Sequence, residues 1–246
     1  MKLISLNIEN NLHNHTVLPF LKKENPDIVC LQELMEEDLE LYKKELSMEA
    51  VFQPWSYIRT TIYKEELRGK KQGVAIFAKN IYLSGSAFYT GSEENIKRTY
   101  EDFMSTEEYQ KNKALVWADI ENKDGGVFRI ITTQLPVTHE GEVTFYQLEV
   151  IEALLKKLES YGEFVLCGDT NAPRGQESFK KFTKKYKDNI PEEYKTSIDQ
   201  NLHRTKNLEY MVDGLFTTQA YSASSVHLVD GVSDHMAVVA DIEKIK

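Results

Sequence analysis

Cysteine is scarce in this chain, with only Cys30 and Cys167 among 246 residues. Both lie in apolar runs, "DIVCLQE" and "EFVLCGD", where a free thiol behaves as a small hydrophobe. Neither a disulfide framework nor a thiolate zinc site is therefore expected. Long hydrophobic runs are missing too: no stretch approaches the roughly 18 apolar residues of a membrane span. The N-terminal "MKLISLNIEN" carries no basic segment followed by an apolar one, so no signal peptide is expected and a cytoplasmic location is. Positive charge is in deficit, the formal net charge being −9. Its one lysine-rich block, "FKKFTKKYK" at 179–187, reads as the wet face of a helix. Such a chain has no electrostatic reason to grip a polyanion without metal ions. Internal repeats, low-complexity tracts and Pro/Gly-rich linkers are also absent. Residues 1–246 read as one domain, monomeric by default.

What is present is ordinary globular material, 41% hydrophobic and 28% charged, enough to bury a sizeable core. Val- and Ile-rich runs at 2–8, 27–32, 73–79, 114–120, 127–135, 163–169, 210–218 and 236–242 predict strands. "KDGG" at 123–126 reads as a hairpin turn between two of them. Apolar residues at helical spacing predict helices over 16–24, 142–160 and 176–187. Pro19 is tolerable only in the first turn of the first of these. Strands mixed with helices in this proportion give an α/β or α+β fold with strands enough for two packed sheets.

The polar residues gather at the ends of these runs. Asn7 ends the first, Gln32 and Glu33 the second, and Gln134 nears the end of "IITTQL". Asp169 and Asn171 follow "FVLC", and Asp234 and His235 precede the last strand. Asp213 lies inside an apolar run, where a carboxylate needs a partner or a proton. Each item has a bland reading: "GDTN" can be a turn, and "SDH" can cap a loop. If the ends converge, Glu33, Asp169, Asp213 and Asp234 share one pocket with a histidine and repel one another unless a cation is present. Oxygen ligands with a single imidazole favour Mg²⁺ or Mn²⁺ over zinc. Such an ion takes phosphate oxygens as further ligands, which points to phosphate-ester chemistry.

The series "SLNI", "IVCLQE", "GVAIF", "VLCGDTN", "MVDGLF" and "GVSDHMAV" resembles the endonuclease/exonuclease/phosphatase superfamily over nearly the whole chain. "GDTN" is similar to its GDxN motif, and "SDH" before a final strand is among its strongest marks. The resemblance implies a four-layer sandwich, two mixed β-sheets packed face to face with helices outside. It also implies roles. Glu33 resembles the principal metal ligand, with Asn7 and Asp234 completing or supporting the site. Asp169 resembles the residue that positions or deprotonates the attacking water, and Asn171 a phosphate-orienting amide. His235, held by Asp213, resembles the histidine that meets the scissile phosphate.

One position departs from that pattern. Many members carry "T-H-L" where this chain reads "TTQLPVTHEG", so Gln134 replaces a histidine. Glutamine can donate to a phosphate oxygen but carries no charge and delivers no proton. His139, five residues on, is either a substitute or an exposed loop residue. His203 and Arg204, just before the Asp213 run, either reach substrate phosphate or sit in a solvated loop. The segments 59–72 and 92–113 are the candidate recognition loops, the second with Tyr100, Phe103 and Tyr109 to stack on a base or pack. The expectation is a Mg²⁺- or Mn²⁺-dependent phosphoester hydrolase, first a phosphodiesterase of nuclease type with nucleic acid among its candidate substrates. The alternatives are a phosphomonoesterase or lipid- or inositol-headgroup phosphodiesterase, and a non-catalytic binding protein on the same scaffold.

Overall fold

The computed structural model describes residues 1–58, 65–101 and 110–245. Two six-stranded mixed sheets pack face to face. In the first, β1 (Lys2–Asn7) and β2 (Ile28–Met35) run parallel at the centre. They are flanked by β4 (Lys71–Ala78) and β3 (Glu49–Tyr57) on one side, and by β12 (Ala237–Lys244) and β11 (Tyr221–Val229) on the other. In the second, β7 (Val127–Thr133) and β8 (Val165–Asp169) form the parallel pair. Beside them lie β6 (Lys113–Glu121), β5 (Ile81–Thr90), β10 (Asp213–Thr217) and the short β9 (Lys187–Asp188).

Apolar residues from both inner faces, including Leu3, Ile76, Val116, Ile130 and Leu215, fill the central layer. Cys30 and Cys167 belong to it as free, buried thiols. Helices α1 (Asn14–Glu24) and α2 (Leu39–Leu46) are the outer cover of the first sheet; Val17, Leu21 and Tyr42 pack with Ile4, Val29 and Phe77. Helices α4 (Phe145–Leu158) and α5 (Glu177–Thr183) cover the second through Ile151, Leu154 and Phe182. A nine-residue helix, α3 (Glu93–Glu101), follows β5. The architecture is the expected four-layer sandwich.

Several boundaries differ from the sequence expectation, each for a local reason. The run at 27–32 does not stop at Gln32; β2 continues to Met35 through a bulge at Glu33. The run at 210–218 contracts to β10, because the carbonyls of Met211 and Val212 bond the loop after β8 instead of a strand. Helix 176–187 ends at Thr183, since Lys187 and Asp188 pair with Thr217 and Phe216 of β10. The first helix starts at Asn14, so Pro19 lies beyond its first turn. Strands β3, β5 and β11 and helices α2 and α3 were not expected. Of the proposed recognition segments, Phe103, Tyr109 and 59–64 lie outside the described residues. Tyr100 falls in α3.

Candidate active site

The polar strand ends converge at one end of the sandwich, on a cavity of about 840 Å³. Two backbone devices aim its carboxylates. Glu33 occupies the β2 bulge with φ 60°, a left-handed conformation that costs a non-glycine residue energy and is found where a side chain must be re-aimed. Gly168 has φ 140°, and a Cβ there would lie 2.1 Å from the Thr133 carbonyl oxygen. Only glycine lets β8 press against the end of β7 in this way. That approach sets Asp169 beside Gln134, and the Leu135 N–H donates to the Asp169 carbonyl at 2.9 Å.

Two carboxylates, one from each sheet, face each other across two amides. Asn7 Nδ2 donates to Glu33 Oε1 and to Asp169 Oδ2, each at 3.1 Å. Gln134 Nε2 donates to the same two atoms, at 2.7 and 3.2 Å. The Asn7 oxygen faces away and accepts the Glu9 N–H at 3.1 Å. Asn171 completes the clamp on Asp169: its backbone N–H donates to Oδ1 at 2.9 Å and its side-chain Nδ2 to Oδ2 at 3.0 Å. The same Nδ2 also donates to the Leu135 carbonyl at 3.0 Å, so both amide hydrogens of Asn171 are engaged.

Burial pushes the Asp169 carboxyl up to about 6, the neighbouring Asp213 and Glu33 charges adding to it while His235 and the Asn171 N–H oppose. Asp234 is pushed up to about 7, again first by burial, against the pull of His235. His235 moves well above the usual histidine range. Burial disfavours its charge, but Asp213 and Asp169 beside it outweigh that. His235 Nδ1 lies 2.8 Å from Asp213 Oδ2, which leaves Nε2 as the ring nitrogen available to the cavity that His235 lines. Asp213 itself opens β10 and is buried behind this wall.

Two groups of potential ligand atoms lie within 4.8 Å of one another: Asp169, Asp213 and His235, and separately Glu9, His13 and Asp234. Among the described residues no lysine or arginine forms an ion pair with Glu33, Asp169 or Asp234. Carboxylates that line a cavity with no lysine or arginine ion-paired to them, two of them buried and one half-buried, fit a hard divalent ion by donor type and by charge. Arg204 and His203 line the cavity; Arg204 NH2 lies 3.2 Å from Glu9 Oε1. His139 lines it as well.

Several contributors are not marked by any motif. Glu9 and His13 pair at 3.1 Å, four residues apart, beside Asp234; the spacing was visible, but it falls in a turn before α1. Ser197 Oγ accepts the N–H groups of Val212 and Asp213, each at 3.1 Å. Asp199 accepts those of Asn201, Leu202 and Gly231, while its own N–H donates to the Asp234 carbonyl at 2.9 Å. Lys113, one residue before the predicted strand 114–120, is buried and lines the cavity.

With this geometry in hand, the known relatives are informative. A model described as "Endonuclease/Exonuclease/phosphatase family" matches residues 4–235. No curated protein is similar enough in sequence to count as a relative. Among solved structures, a functionally unknown conserved protein from Enterococcus faecalis V583 is 15% identical, covers 100% of both chains and has a TM-score of 0.73. The human Nocturnin catalytic domain with bound sulfate is 18% identical at a TM-score of 0.73, with 100% of this chain and 93% of that one covered. A mannosyl-6-phosphatase from Bacteroides thetaiotaomicron VPI-5482 is 14% identical at a TM-score of 0.70, with 99% of each chain covered. Likenesses at this identity speak for the fold.

Proposed function

The chain belongs to the endonuclease/exonuclease/phosphatase family, and from that membership we propose that it is a divalent-metal-dependent phosphoester hydrolase, first a phosphodiesterase, built as one domain over residues 1–246. The observation that carries this reading is that Glu33, Asp169 and Asp234 line one cavity and, among the described residues, none is ion-paired to a lysine or arginine. Glu33 and Asp234, supported by Asn7, would hold Mg²⁺ or Mn²⁺, which supplies positive charge to phosphate oxygens and acidifies water.

The remaining chemistry belongs to the chain's own side chains. Asp169, fixed by four donated hydrogen bonds, is oriented to hold the attacking water and take its proton at a carboxylate oxygen. Its raised proton affinity suits that task near neutrality. His235 is charged, oriented through Nδ1 by Asp213, and offers Nε2–H to a phosphate oxygen, where charge grows in the transition state. Asn171 fixes Asp169, and His203 and Arg204 stand along the cavity wall for the rest of the substrate.

The alternative is a phosphomonoesterase or a headgroup phosphodiesterase acting on a small soluble ester. The bounded cavity and the net charge of −9 favour a small substrate over long nucleic acid. Hydrolysis of bis(p-nitrophenyl) phosphate and of the monoester, with Mg²⁺ or Mn²⁺, against a chelator and Glu33→Gln, tests the reading. Diester turnover that is lost in both controls supports the phosphodiesterase. Monoester preference moves the assignment to the phosphatase. Turnover that survives chelator and Glu33→Gln alike removes the metal-dependent reading.

A further inference from the structure

Lys113 is the first residue of β6 and is only 1% exposed. Its Nζ sits 3.4 Å from the centroid of the Trp55 ring. Among the described residues the ammonium has no hydrogen-bond or ion-pair partner, and lysine is almost never buried in that state. An indole face attracts a cation but takes only part of the place of its lost water. Lys113 nevertheless lines the same cavity as Glu33, Gln134 and Asp169. In the β6–β7 register Leu115 stands opposite Thr133. Extending that register places Lys113 opposite Leu135, beside the neutral Gln134.

The surrounding wall is unsatisfied in a way that points to a ligand. Trp55 Nε1, Gln72 Oε1, Gln134 Oε1 and Thr138 Oγ1 are buried and lack hydrogen-bond partners. All four side chains line this cavity. One orphaned polar atom is an ordinary imperfection, but four from residues that line one cavity call for a bound polar group. The bland account of Lys113 is a stem packed between the sheets with its charge resting on the indole. That account leaves the four orphaned atoms and the missing counter-ion unexplained.

We propose that Lys113 binds the substrate's phosphoryl group, its ammonium meeting a non-bridging oxygen, with Trp55 as the positioning residue that holds it there. The proposal rests on the phosphoester reading above and gives the site the cation that Gln134 does not carry. Burial pushes the Lys113 ammonium down to about 7, while Glu33 and Asp169 pull the other way. An arriving phosphate dianion or monoanion adds to that pull and keeps the group charged.

Inorganic phosphate, titrated calorimetrically into the Mn²⁺-loaded protein, is the probe. Lys113→Met should weaken phosphate binding at least tenfold and leave Mn²⁺ affinity within twofold. Lys113→Arg should retain most of the binding. Phosphate binding by Lys113→Met equal to wild type, or none by wild type, overturns the proposal. Phosphate binding that depends on Lys113 in a protein that hydrolyses no phosphoester keeps the proposal and rejects the hydrolase. If Lys113→Met does not fold, acetylation of the wild-type lysines followed by peptide mass spectrometry replaces it. Phosphate should then protect Lys113 severalfold, and equal labelling with and without phosphate overturns the assignment.

Discussion

Asn7 and Gln134 do the same work from opposite sheets. Each donates one side-chain nitrogen to both Glu33 Oε1 and Asp169 Oδ2. Two amides are the neutral way to hold a buried and a half-buried carboxylate together, because they soften the repulsion without occupying the place of a cation. Replacing Gln134 by histidine changes that balance. An imidazole within reach of both carboxylates is held protonated and brings a charged donor to the site. Gln134→His is expected to raise diester turnover by about tenfold, read as kcat on bis(p-nitrophenyl) phosphate at saturating Mn²⁺. Unchanged kcat in a folded variant would mean that residue 134 serves the carboxylates alone and never meets phosphate. The departure at 134 was legible in "TTQLPVTHEG". Its consequence was not, since the two carboxylates it bridges lie 101 and 35 residues away.

Among the elements, the short segment 197–199 ties together the parts of the chain that carry Asp213, Asp234 and His235. Ser197 tethers the entry to β10, Ile198 bridges His235, and Asp199 ties Gly231 and the Asp234 backbone to the same loop. Asp213 and the turn carrying Asp234 and His235 are thus positioned by one short strap. Asp199→Ala removes the acceptor of three backbone N–H groups, a loss of roughly 2–4 kcal/mol in stability. Urea unfolding should show that loss, and turnover should fall with it, because the histidine is no longer held against Asp213. Destabilisation with turnover intact would mean that the turn at 231–236 holds itself. Elements of this kind are the hardest to read in advance. The central strands announced themselves through Val and Ile, whereas β11, "YSASSVHLV", and β5, "IYLSGSAFYT", are sheet edges with small and polar residues. Edge strands expose much of their surface and so lack the alternation that marks a half-buried one. Strand β3 escaped notice because it contains Pro54, which is tolerated there at a bulge on the sheet's edge.

For the whole molecule, the site is a stability liability that the proposed ion relieves. The strand ends carrying Asn7, Glu33, Asp169 and Asp234 were visible in the sequence because each stands at an end of an apolar run. The expense of bringing them together depends on burial, which no motif states. Asp234 shows the sign. Its proton affinity in the fold, about 7, lies above the ordinary 3.8, so between those values the folded chain binds more protons than the unfolded one. The burial penalty is therefore full above pH 7, shrinks as the pH falls through that window, and vanishes near pH 4. Asp234→Asn removes a penalty of at most a few kcal/mol. In chelator at pH 8 the variant should melt several degrees above wild type, and at pH 4 the two should coincide. Mn²⁺ at pH 8 should reverse the order, raising wild-type Tm while leaving Asp234→Asn nearly unmoved, since the ion stabilises only the chain that binds it. A variant that melts below wild type in chelator at pH 8 would show the Asp234 carboxylate to be stabilised by its neighbours without any metal. A variant that still gains as much from Mn²⁺ would remove Asp234 from the ligand set. The two comparisons separate the electrostatic argument from the ligand assignment, because either can fail while the other holds.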